Sequence, residues 1–284
     1  LKLLVELLAA NRVLSTQEGR IRFRPEFEQA LRYRDLMEAK VAFATYVASD
    51  FTNLFTALMT NPLRFFQQAR IFDLFSYDRC LNDSPENDER TQRWMQVTTA
   101  LTRYEARVCL KYHDFSRYRR MLDVGGNSGE FALQVCKRHP GISSVVFDLP
   151  LVCRLGEDHV RPAPEGDRIR FVRGDALQDA LPQGFDLVSF KSMLHDWPES
   201  EAKHFLTKAR DALAPGGTLL IFERGPFEHT GSLPGFSLVP FLLFFRSFRE
   251  STIYRQSLAA TGFRDITLEK ISLEMPFHLI TARK

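Results

Sequence analysis

The second half of the chain alternates strand-like and helix-like segments, and this alternation limits the folds that the chain can adopt. After Arg119, helical stretches such as GEFALQVCKRH separate five short runs rich in β-branched, leucine and aromatic residues. These runs are RRMLDV, SSVVFDL, RIRFVRGDAL, FDLVSFKSML and TLLIFERG. Such alternation predicts an α/β fold in which helices cover both faces of a parallel sheet. Two more runs, GFRDITLEKIS and PFHLITARK, have no helix between them, so the last strand is predicted to be antiparallel.

The first half of the chain has a mainly helical pattern. Apolar residues recur at steps of three and four in LKLLVELLAA, DLMEAKVAFATYVASDFTNLFTALM and RWMQVTTALTRYEARVCLKY. Residues 17–25, QEGRIRFRP, interrupt the pattern and are predicted to form a short turn and strand, and residues 81–90 are predicted to form an exposed loop. We therefore predict a helical domain over residues 1–115 and an α/β domain over residues 116–284. Because Leu1 already lies within a helical pattern, we expect further residues upstream.

The composition is that of an ordinary soluble globular protein, with 44% hydrophobic and 26% charged residues. The net charge of +3 is too small to indicate a nucleic-acid partner, and the longest apolar runs are far below the ~20 residues that a membrane span needs. The four cysteines have neither metal-ligand spacing nor the pattern of a small secreted disulfide framework, so we expect a reduced, cytoplasmic protein. No two histidines have metal-ligand spacing, and we expect no catalytic metal.

A glycine-rich turn follows the first predicted strand of the sheet. In LDVGGNSGE, Gly125, Gly126 and Gly129 permit a tight turn and a close approach of the backbone to a ligand, and Glu130 opens a helix. Asn127 stands where the dinucleotide-binding fingerprint has its second glycine, and the turn lacks the Gly-Lys-Ser or Gly-Lys-Thr of a phosphate-binding loop. Alone, the turn fits either a binding loop or a purely structural strand-to-helix turn.

Acidic residues end the next two predicted strands. Asp148 ends the second strand, where a carboxylate can accept both hydroxyls of a ribose. Asp175 ends the third, where it can accept the exocyclic amine of an adenine while Leu177 packs against the ring. Taken singly, Asp148 fits a helix cap and Asp175 a Gly-Asp turn equally well. Because ligands of parallel sheets bind at the carboxyl ends of the strands, the glycine turn and these acids together predict a nucleoside site.

Polar and aromatic residues follow the fourth strand directly. The segment FKSMLHDWPESE, residues 190–201, places a lysine, a histidine, an aspartate and a tryptophan at the strand's carboxyl end. Together with LDVGGNSG, FDLP, GDAL, ALAPGGTLLIFE and LAATGF, in this order and spacing, it resembles the S-adenosylmethionine-dependent small-molecule O-methyltransferases. That family includes plant caffeate and flavonoid enzymes and bacterial antibiotic-tailoring enzymes. The resemblance covers essentially the whole chain.

The resemblance implies a fold, a cofactor and a partner. The fold would be a Rossmann-like class I methyltransferase sheet with an antiparallel last strand, preceded by a winged-helix-like dimerisation domain, so a homodimer is expected. The cofactor would be S-adenosyl-L-methionine, and the product S-adenosyl-L-homocysteine. The turn from Gly125 to Gly129 would wrap the methionine part, Asp148 would hold the ribose, and Asp175 and Leu177 the adenine. Lys191 would hold the turn or the cofactor from the fourth strand.

The resemblance also assigns the catalytic residues. His195 matches the general base of the family, and Glu223, at the end of the fifth strand, matches a carboxylate that orients this histidine. Plant relatives carry a second supporting glutamate, but the matching position here is Phe248, and Glu250 is displaced by two residues. Asp196 and Trp197 are expected to be mostly structural, with Asp196 capping the next helix and Trp197 packing.

The acceptor pocket is expected to be apolar. We predict that it is built from the insertion at residues 226–248, including Phe241 and Phe245, and from helices of the first half, including Trp94 and Met95. The chain contains 25 phenylalanines, and the share of them in the insertion suggests a flat, hydrophobic acceptor such as an aromatic or polyketide ring. Ordinary helix packing explains any one of these side chains nearly as well.

These observations predict a methyltransferase that acts on a hydroxyl of a small, mostly apolar secondary metabolite. An enzyme that methylates carbon, nitrogen or sulfur, or a relative that binds the cofactor without transferring methyl, is the first alternative. The second is a nucleoside-sensing winged-helix regulator. The few basic residues in the first 40 positions are mixed with glutamates, which weighs against DNA binding.

Overall fold

The computed structural model describes residues 1–82, 84–228, 238, 241, 243–244 and 247–284. In its first half, a small β-hairpin lies among five α-helices. These elements are α1 (Lys2–Ala10), β1 (Leu14–Gln17), β2 (Arg20–Phe23), α2 (Pro25–Ala30), α3 (Arg34–Thr60), α4 (Pro62–Gln68) and α5 (Pro85–Tyr112). The turn and strand predicted over residues 17–25 are thus found as one arm of an antiparallel hairpin. Glu18 and Gly19 both have positive φ, 51° and 73°, which suits a two-residue hairpin turn.

Helix α5 begins earlier than the sequence pattern predicts. The exposed loop expected over residues 81–90 is wrong in its second part, because Pro85 already starts the helix. The Ser84 hydroxyl accepts a hydrogen bond from the Asn87 N–H at 3.2 Å and caps it. Pro85 lies at the first helical position, and Glu86 and Asp88 place negative charge in the first turn. These start signals outweigh the loop-like composition of the segment.

The second half contains a seven-stranded sheet. Its strands are β3 (Arg120–Val124), β4 (Ser143–Asp148), β5 (Ile169–Arg173), β6 (Phe185–Lys191), β7 (Leu213–Arg224), β8 (Arg264–Ser272) and β9 (Pro276–Arg283). Their spatial order is β5-β4-β3-β6-β7-β9-β8, with parallel pairing from β5 to β7. Strand β9 pairs antiparallel with both β7 and β8. The predicted α/β fold with an antiparallel last strand is confirmed.

Helices cover both faces of this sheet, as predicted. They are α6 (Glu130–Arg138), α7 (Pro150–Val160), α8 (Glu199–Ala212) and α9 (Ser251–Ala260). Alternate residues of a strand point to opposite faces. Met121 therefore joins the core formed with α5 and α6, whereas its neighbour Leu122 joins the core formed with α8 and α9. Both side chains are fully buried, so β3 is packed on both faces.

The topology brings the carboxyl ends of the five parallel strands to one edge of the sheet. Strand β4 ends at Asp148, β6 at Lys191 and β7 at Arg224. Helix α5 and the segment before it pack above this edge, so the mainly helical half forms a wall over the strand ends. Within the described residues, no helix is both long enough and apolar enough to span a membrane.

Candidate active site

A cleft of about 290 Å³ lies at the carboxyl edge of the sheet. One wall comes from the helical half and includes Tyr77 and Trp94, and the other comes from the strand ends, including Asp148, Asp175 and His195. Both halves of the chain are therefore needed to enclose it. Most of its lining is apolar, with polar groups concentrated at the ends of the strands.

The glycine turn has three residues with positive φ, namely Gly125 at 65°, Asn127 at 55° and Gly129 at 74°. Asparagine adopts positive φ more readily than most other residues, so Asn127 can occupy a position in this turn that would otherwise favour glycine. Gly125 and Asn127 line the cleft, whereas Gly126 and Gly129 do not. A Cβ atom on Gly126 would lie 2.6 Å from Oδ2 of Asp123, and one on Gly129 would lie 2.9 Å from the Phe171 ring. These two glycines are required by packing beneath the turn, and Gly125 is the one at the surface of the cleft.

Asp148 links the glycine turn to the next helix. Its Oδ2 atom accepts a hydrogen bond from the Asn127 N–H, and its Oδ1 atom accepts one from the Leu149 N–H, both at 2.8 Å. Burial raises the pKa of Asp148 to about 6, although these two N–H groups act in the opposite direction. The carboxylate supports the turn and the start of α7, and it also faces the cleft. Its position therefore fits both roles considered from the sequence.

Asp175 and Leu177 both line the cleft, one strand away from Asp148. Oδ1 of Asp175 accepts the Leu177 N–H at 2.9 Å, and the Asp175 N–H donates to Oδ2 of Asp179 at 2.8 Å. The local turn that was the structural alternative is therefore present. It leaves the second carboxylate oxygen of Asp175 available at the edge of the cleft.

Lys191 forms an ion pair with the long helix and not with the glycine turn. Its Nζ atom donates to Oγ1 of Thr102 at 2.9 Å and to the Glu105 carboxylate. The other oxygen of Glu105 binds Arg224, whose Nη1 also donates to Oγ of Ser192 at 3.0 Å. Burial opposes ionisation of Glu105, but Arg224 and Lys191 outweigh it and hold the pKa of that carboxyl below its usual value. The network joins α5 to the ends of β6 and β7.

His195 and Glu223 form a buried pair at the end of the cleft. Nδ1 of His195 lies 2.5 Å from Oε2 of Glu223. Oε1 of Glu223 accepts the N–H groups of Met193 and Leu194, each at 2.7 Å. The Glu223 side chain is completely buried and that of His195 is 10% exposed. Burial lowers the pKa of His195, but the Glu223 and Asp196 carboxylates outweigh it, so this pKa lies above its ordinary value.

Asp196 does not cap helix α8, contrary to the expectation from the sequence. The residue before that helix is Pro198, and Asp196 lies in a short 3₁₀ turn with Leu194 and His195. Its Oδ2 atom accepts a hydrogen bond from the Tyr77 hydroxyl at 2.6 Å, and its Oδ1 atom lies 3.4 Å from Nε2 of His195. The prediction failed because α8 begins at Glu199, with Pro198 at the cap position, so Asp196 lies two residues too early to cap it.

Trp197 packs as expected. Its ring stacks on Tyr77 at a centroid distance of 5.9 Å and meets the edge of Phe205 at 5.4 Å. The carbonyl groups of Leu194 and Trp197 both accept hydrogen bonds from the Arg249 guanidinium. These contacts hold the 3₁₀ turn that carries His195.

An aromatic ring lies where plant relatives have a second supporting glutamate. The Phe248 ring contacts the His195 ring at a centroid distance of 5.4 Å and an interplanar angle of 61°. Glu250 instead immediately precedes α9. The second carboxylate near His195 is that of Asp196.

Only some of the residues expected in the acceptor pocket line the cleft. Trp94 and Phe241 line the cleft. Met95 does not, because it lies on the side of α5 that also carries Thr99 and Arg103 and lines a separate groove between α3, α5 and α7. Phe245 lies outside the described residues. Within the described part of the chain, no group of three or more His, Cys, Asp or Glu side chains is arranged to hold a metal ion.

Two residues of the cleft, Tyr77 and Arg224, and the supporting residue Glu105 were not found from the sequence. Tyr77, Glu105 and Arg224 reach the site through contacts that cross from the helical half to the sheet. Arg224 follows Glu223 at a strand end, and this position is a signal that points to the site. Tyr77 begins a short 3₁₀ turn, Tyr77–Leu81, and Glu105 lies within the long amphipathic helix α5, so only the tertiary fold identifies them.

Comparisons with known proteins agree with this geometry. A family profile described as an O-methyltransferase domain matches residues 51–263. The 3-hydroxy-5-methyl-1-naphthoate 3-O-methyltransferase of Streptomyces sahachiroi is 36% identical over 138 residues, which are 49% of this chain and 40% of that protein. The acetylserotonin O-methyltransferase of Bos taurus is 35% identical over 183 residues, 63% of this chain and 52% of that protein.

Among solved structures, the human N-acetylserotonin methyltransferase in complex with SAM superposes with a TM-score of 0.77 at 23% sequence identity. That alignment covers 100% of this chain and 82% of the human one and supports the fold. The chain spans about half the length of the curated relatives that it matches. Since the family profile covers three quarters of its residues, the chain belongs to the O-methyltransferase domain family.

Proposed function

We propose that the chain transfers the methyl group of S-adenosyl-L-methionine to a hydroxyl of a small aromatic or polyketide-like molecule, with His195 as the general base. The observation that carries this proposal is the His195–Glu223 pair, which faces a cleft bounded by the carboxyl ends of the parallel strands. A base held beside a nucleoside-sized cleft is the arrangement that methyl transfer to a neutral hydroxyl requires.

The cleft has the donors and acceptors that an adenosyl sulfonium cofactor needs. Asp148 and Asp175 present carboxylate oxygens suited to ribose hydroxyls and an exocyclic amine. Gly125 leaves the backbone of the turn accessible, and the buried Nε1 of Trp94 has no hydrogen-bond partner among the described residues. These groups, with Leu177 against the adenine and Lys191 beneath, are proposed to hold the cofactor. When bound, it supplies an electrophilic methyl group on sulfur.

His195 is proposed to take the proton while the new carbon–oxygen bond forms. A phenol with a pKa near 10 is less acidic than an ordinary imidazolium by about 3.5 pKa units, or roughly 5 kcal/mol. Complete deprotonation before attack is therefore unfavourable. Glu223 is proposed to accept a hydrogen bond from Nδ1–H, which leaves the lone pair on Nε2 for the acceptor, and its charge stabilises the imidazolium that results.

The acceptor is proposed to be flat and mostly apolar. Aromatic side chains of the cleft include Phe43, Phe75, Phe241, Phe244 and Phe248. Rings of this kind pack well against an aromatic face. The named substrates of the two relatives described above are a hydroxynaphthoate and acetylserotonin, both hydroxylated aromatic molecules. Methylation at carbon, nitrogen or sulfur is the alternative, because an electron-rich nucleophile needs no base.

We also propose a homodimer formed through the helical half, whose hairpin would be the wing of a winged-helix-like domain. Large apolar side chains are exposed there, among them Leu3 at 78%, Phe23 at 48%, Val41 at 66% and Met59 at 68%. Large apolar side chains exposed in one half of the chain are candidates for a subunit interface. Light scattering on the purified protein tests this, with twice the mass of one chain as the expected result. A cytoplasmic location is proposed as well, since all four cysteines are buried free thiols.

Mass spectrometry with methyl-labelled S-adenosylmethionine tests the transfer proposal. Suitable acceptor probes are 3-hydroxy-1-naphthoate and N-acetylserotonin, and the expected product carries one labelled methyl on oxygen. His195→Ala should lower turnover by about 100-fold or more while leaving cofactor affinity intact. His204→Ala, at an exposed position of α8, is the matched control and should retain full turnover. Unchanged turnover in His195→Ala would exclude base catalysis and favour the alternative nucleophiles.

A further inference from the structure

A chain of polar contacts reaches His195 from the helical half of the molecule. The Tyr77 hydroxyl donates to Oδ2 of Asp196 at 2.6 Å, and Oδ1 of Asp196 lies 3.4 Å from Nε2 of His195. The Asp196 backbone is at the surface, whereas its side chain is 19% exposed. The Tyr77 ring is fixed between Trp94 and Trp197, at centroid distances of 5.5 and 5.9 Å. The carboxylate is therefore held by a rigid aromatic group.

Carboxylates face both nitrogens of the imidazole. Glu223 accepts from Nδ1, and Asp196 faces Nε2, the nitrogen left for the acceptor. Phe248 contacts the same ring and contributes no charge at the position where plant relatives carry a glutamate. This histidine therefore has two carboxylate partners, as in the plant relatives, but the second one comes from Asp196 and not from the position of Phe248.

We propose that Asp196, held by the Tyr77 hydroxyl, is the second carboxylate partner of His195 and acts as a positioning residue for methyl transfer. This inference rests on the proposed function, because it assumes that Nε2 accepts the proton of the acceptor hydroxyl. In that step the O–H bond breaks and its proton moves to Nε2. The oxygen lone pair forms the bond to the methyl carbon, and the electron pair of the methyl–sulfur bond stays on sulfur.

Asp196 affects both the start and the end of this step. Before transfer, a negative charge near Nε2 stabilises the protonated ring and lowers the fraction of His195 that is neutral. Only this neutral fraction can accept the proton of the acceptor hydroxyl. After transfer, the same charge stabilises the imidazolium that the reaction produces. Asp196 therefore makes the base stronger and moves its working range to higher pH.

Other charged or titratable groups surround this pair. Burial and the Arg224 charge lower the pKa of His195, and the two carboxylates raise it. The charged or titratable groups near His195 and Asp196 include Glu223 and Arg224 of β7, Glu105 of α5, Tyr77, Tyr254 of α9, and Arg249, whose guanidinium binds the carbonyls of Leu194 and Trp197. All of them are retained when Asp196 alone is changed, so an Asp196→Asn variant isolates the effect of that carboxylate.

An NMR titration of the imidazole provides the direct test. Full-length protein with labelled histidine, saturated with S-adenosylhomocysteine, is titrated, and the His195 signal is identified by its loss in His195→Ala. We expect its pKa above the ordinary value in the parent protein and lower by about one unit in Asp196→Asn. Tyr77→Phe, which frees the carboxylate to turn toward solvent, should give an intermediate value. Glu199→Gln, an exposed carboxylate at the start of α8, should leave the pKa unchanged.

The pH dependence of kcat/KM gives a second readout that a merely structural role does not move. In Asp196→Asn the acidic limb should shift to lower pH by the same amount as the NMR pKa, and the plateau should fall roughly tenfold because the imidazole is less basic. An unchanged His195 pKa in Asp196→Asn, with S-adenosylhomocysteine binding retained, overturns the proposal. If Asp196→Asn does not fold, an unchanged pKa in Tyr77→Phe has the same meaning. Failure of the proposed role of His195 as the base is a separate outcome, and full turnover in His195→Ala would show it.

Discussion

Nδ1 of His195 lies 2.5 Å from Oε2 of Glu223, while Oε1 of the same carboxylate accepts the N–H groups of Met193 and Leu194. One buried side chain thus fixes both the tautomer of the histidine and the turn that carries it. In the neutral ring this tautomer leaves the lone pair on Nε2, the nitrogen that Oδ1 of Asp196 also faces at 3.4 Å.

Replacing Glu223 by Gln should remove base catalysis while keeping the fold. The amide oxygen can still accept the two backbone N–H groups, so the NH₂ group must face Nδ1 and the proton is moved to Nε2. We expect kcat to fall about 100-fold or more, with S-adenosylhomocysteine affinity changed little. Steady-state kinetics and calorimetry measure the two quantities. Glu228→Gln, at an exposed ion pair with Lys270, is the control, and an equal loss in both variants would argue against the role of Glu223.

Gly125 and Gly216 have similar positive φ values, 65° and 73°, but different surroundings. A Cβ on Gly125 would lie 2.6 Å from Cγ of Met193, whereas one on Gly216 would meet nothing within 4 Å. Gly216→Ala should therefore cost only the left-handed strain of about 1 kcal/mol. Gly125→Ala should cost about 1–3 kcal/mol more, through displacement of the buried Met193 next to the His195 turn. Thermal unfolding of both variants measures this difference, and equal melting temperatures would contradict it.

The sheet and several residues at its carboxyl edge could be predicted from the sequence because the signals are local. The alternation of strand-like and helix-like hydrophobic patterns predicted the parallel strands. The positions of Asp148, Asp175 and His195 at strand ends predicted where the cleft lies. The contacts of Tyr77, Glu105 and Asp196 depend on how the helical half docks on the sheet, and no local pattern encodes that docking. Met95 shows the same limit on a smaller scale, since the side of α5 that meets the cleft is set by how that helix packs on the sheet, and Met95 lies on the side that faces α3 and α7.

Binding of S-adenosylhomocysteine should weaken on acidification through about pH 6. Burial raises the pKa of Asp148 to about 6 in the free protein, and a ribose that donates hydrogen bonds favours the ionised carboxylate. Protons therefore compete with the ligand below this pH, and Kd should be about tenfold weaker at pH 5 than at pH 7. Calorimetry in matched buffers measures it.

Two variants identify the carboxylate that is responsible for this pH dependence. Asp148→Asn should bind weakly at every pH and lose the component that titrates near pH 6. Asp175→Asn should bind more weakly but keep that component, because Asp148 is intact. Asp123, beneath the turn, has a pKa raised by burial to about 7 and is unchanged in both variants. A tenfold change that persists in Asp148→Asn would assign the effect to Asp123 instead.

The Lys191–Glu105–Arg224 network should contribute to stability in a non-additive way. The side chains of Lys191 and Glu105 are 7% and 11% exposed, so Lys191→Met leaves a buried carboxylate with Arg224 alone. We expect a loss of about 2 kcal/mol in the free energy of unfolding. The Lys191–Glu105 ion pair is lost in each single variant and is therefore counted twice in their sum, so the Lys191→Met, Glu105→Gln double variant should lose less than the sum of the two single losses. Urea unfolding of the four proteins measures the coupling, and strict additivity would contradict it.

Equilibrium dialysis of the purified protein against methyl-labelled S-adenosylmethionine is the most direct test of the proposed nucleoside cleft beside His195. The expected result is one molecule bound per chain, displaced by S-adenosylhomocysteine and weakened at least tenfold by Asp148→Asn. Absence of saturable binding by the folded protein would contradict the proposed cofactor, and with it the role of His195 in methyl transfer.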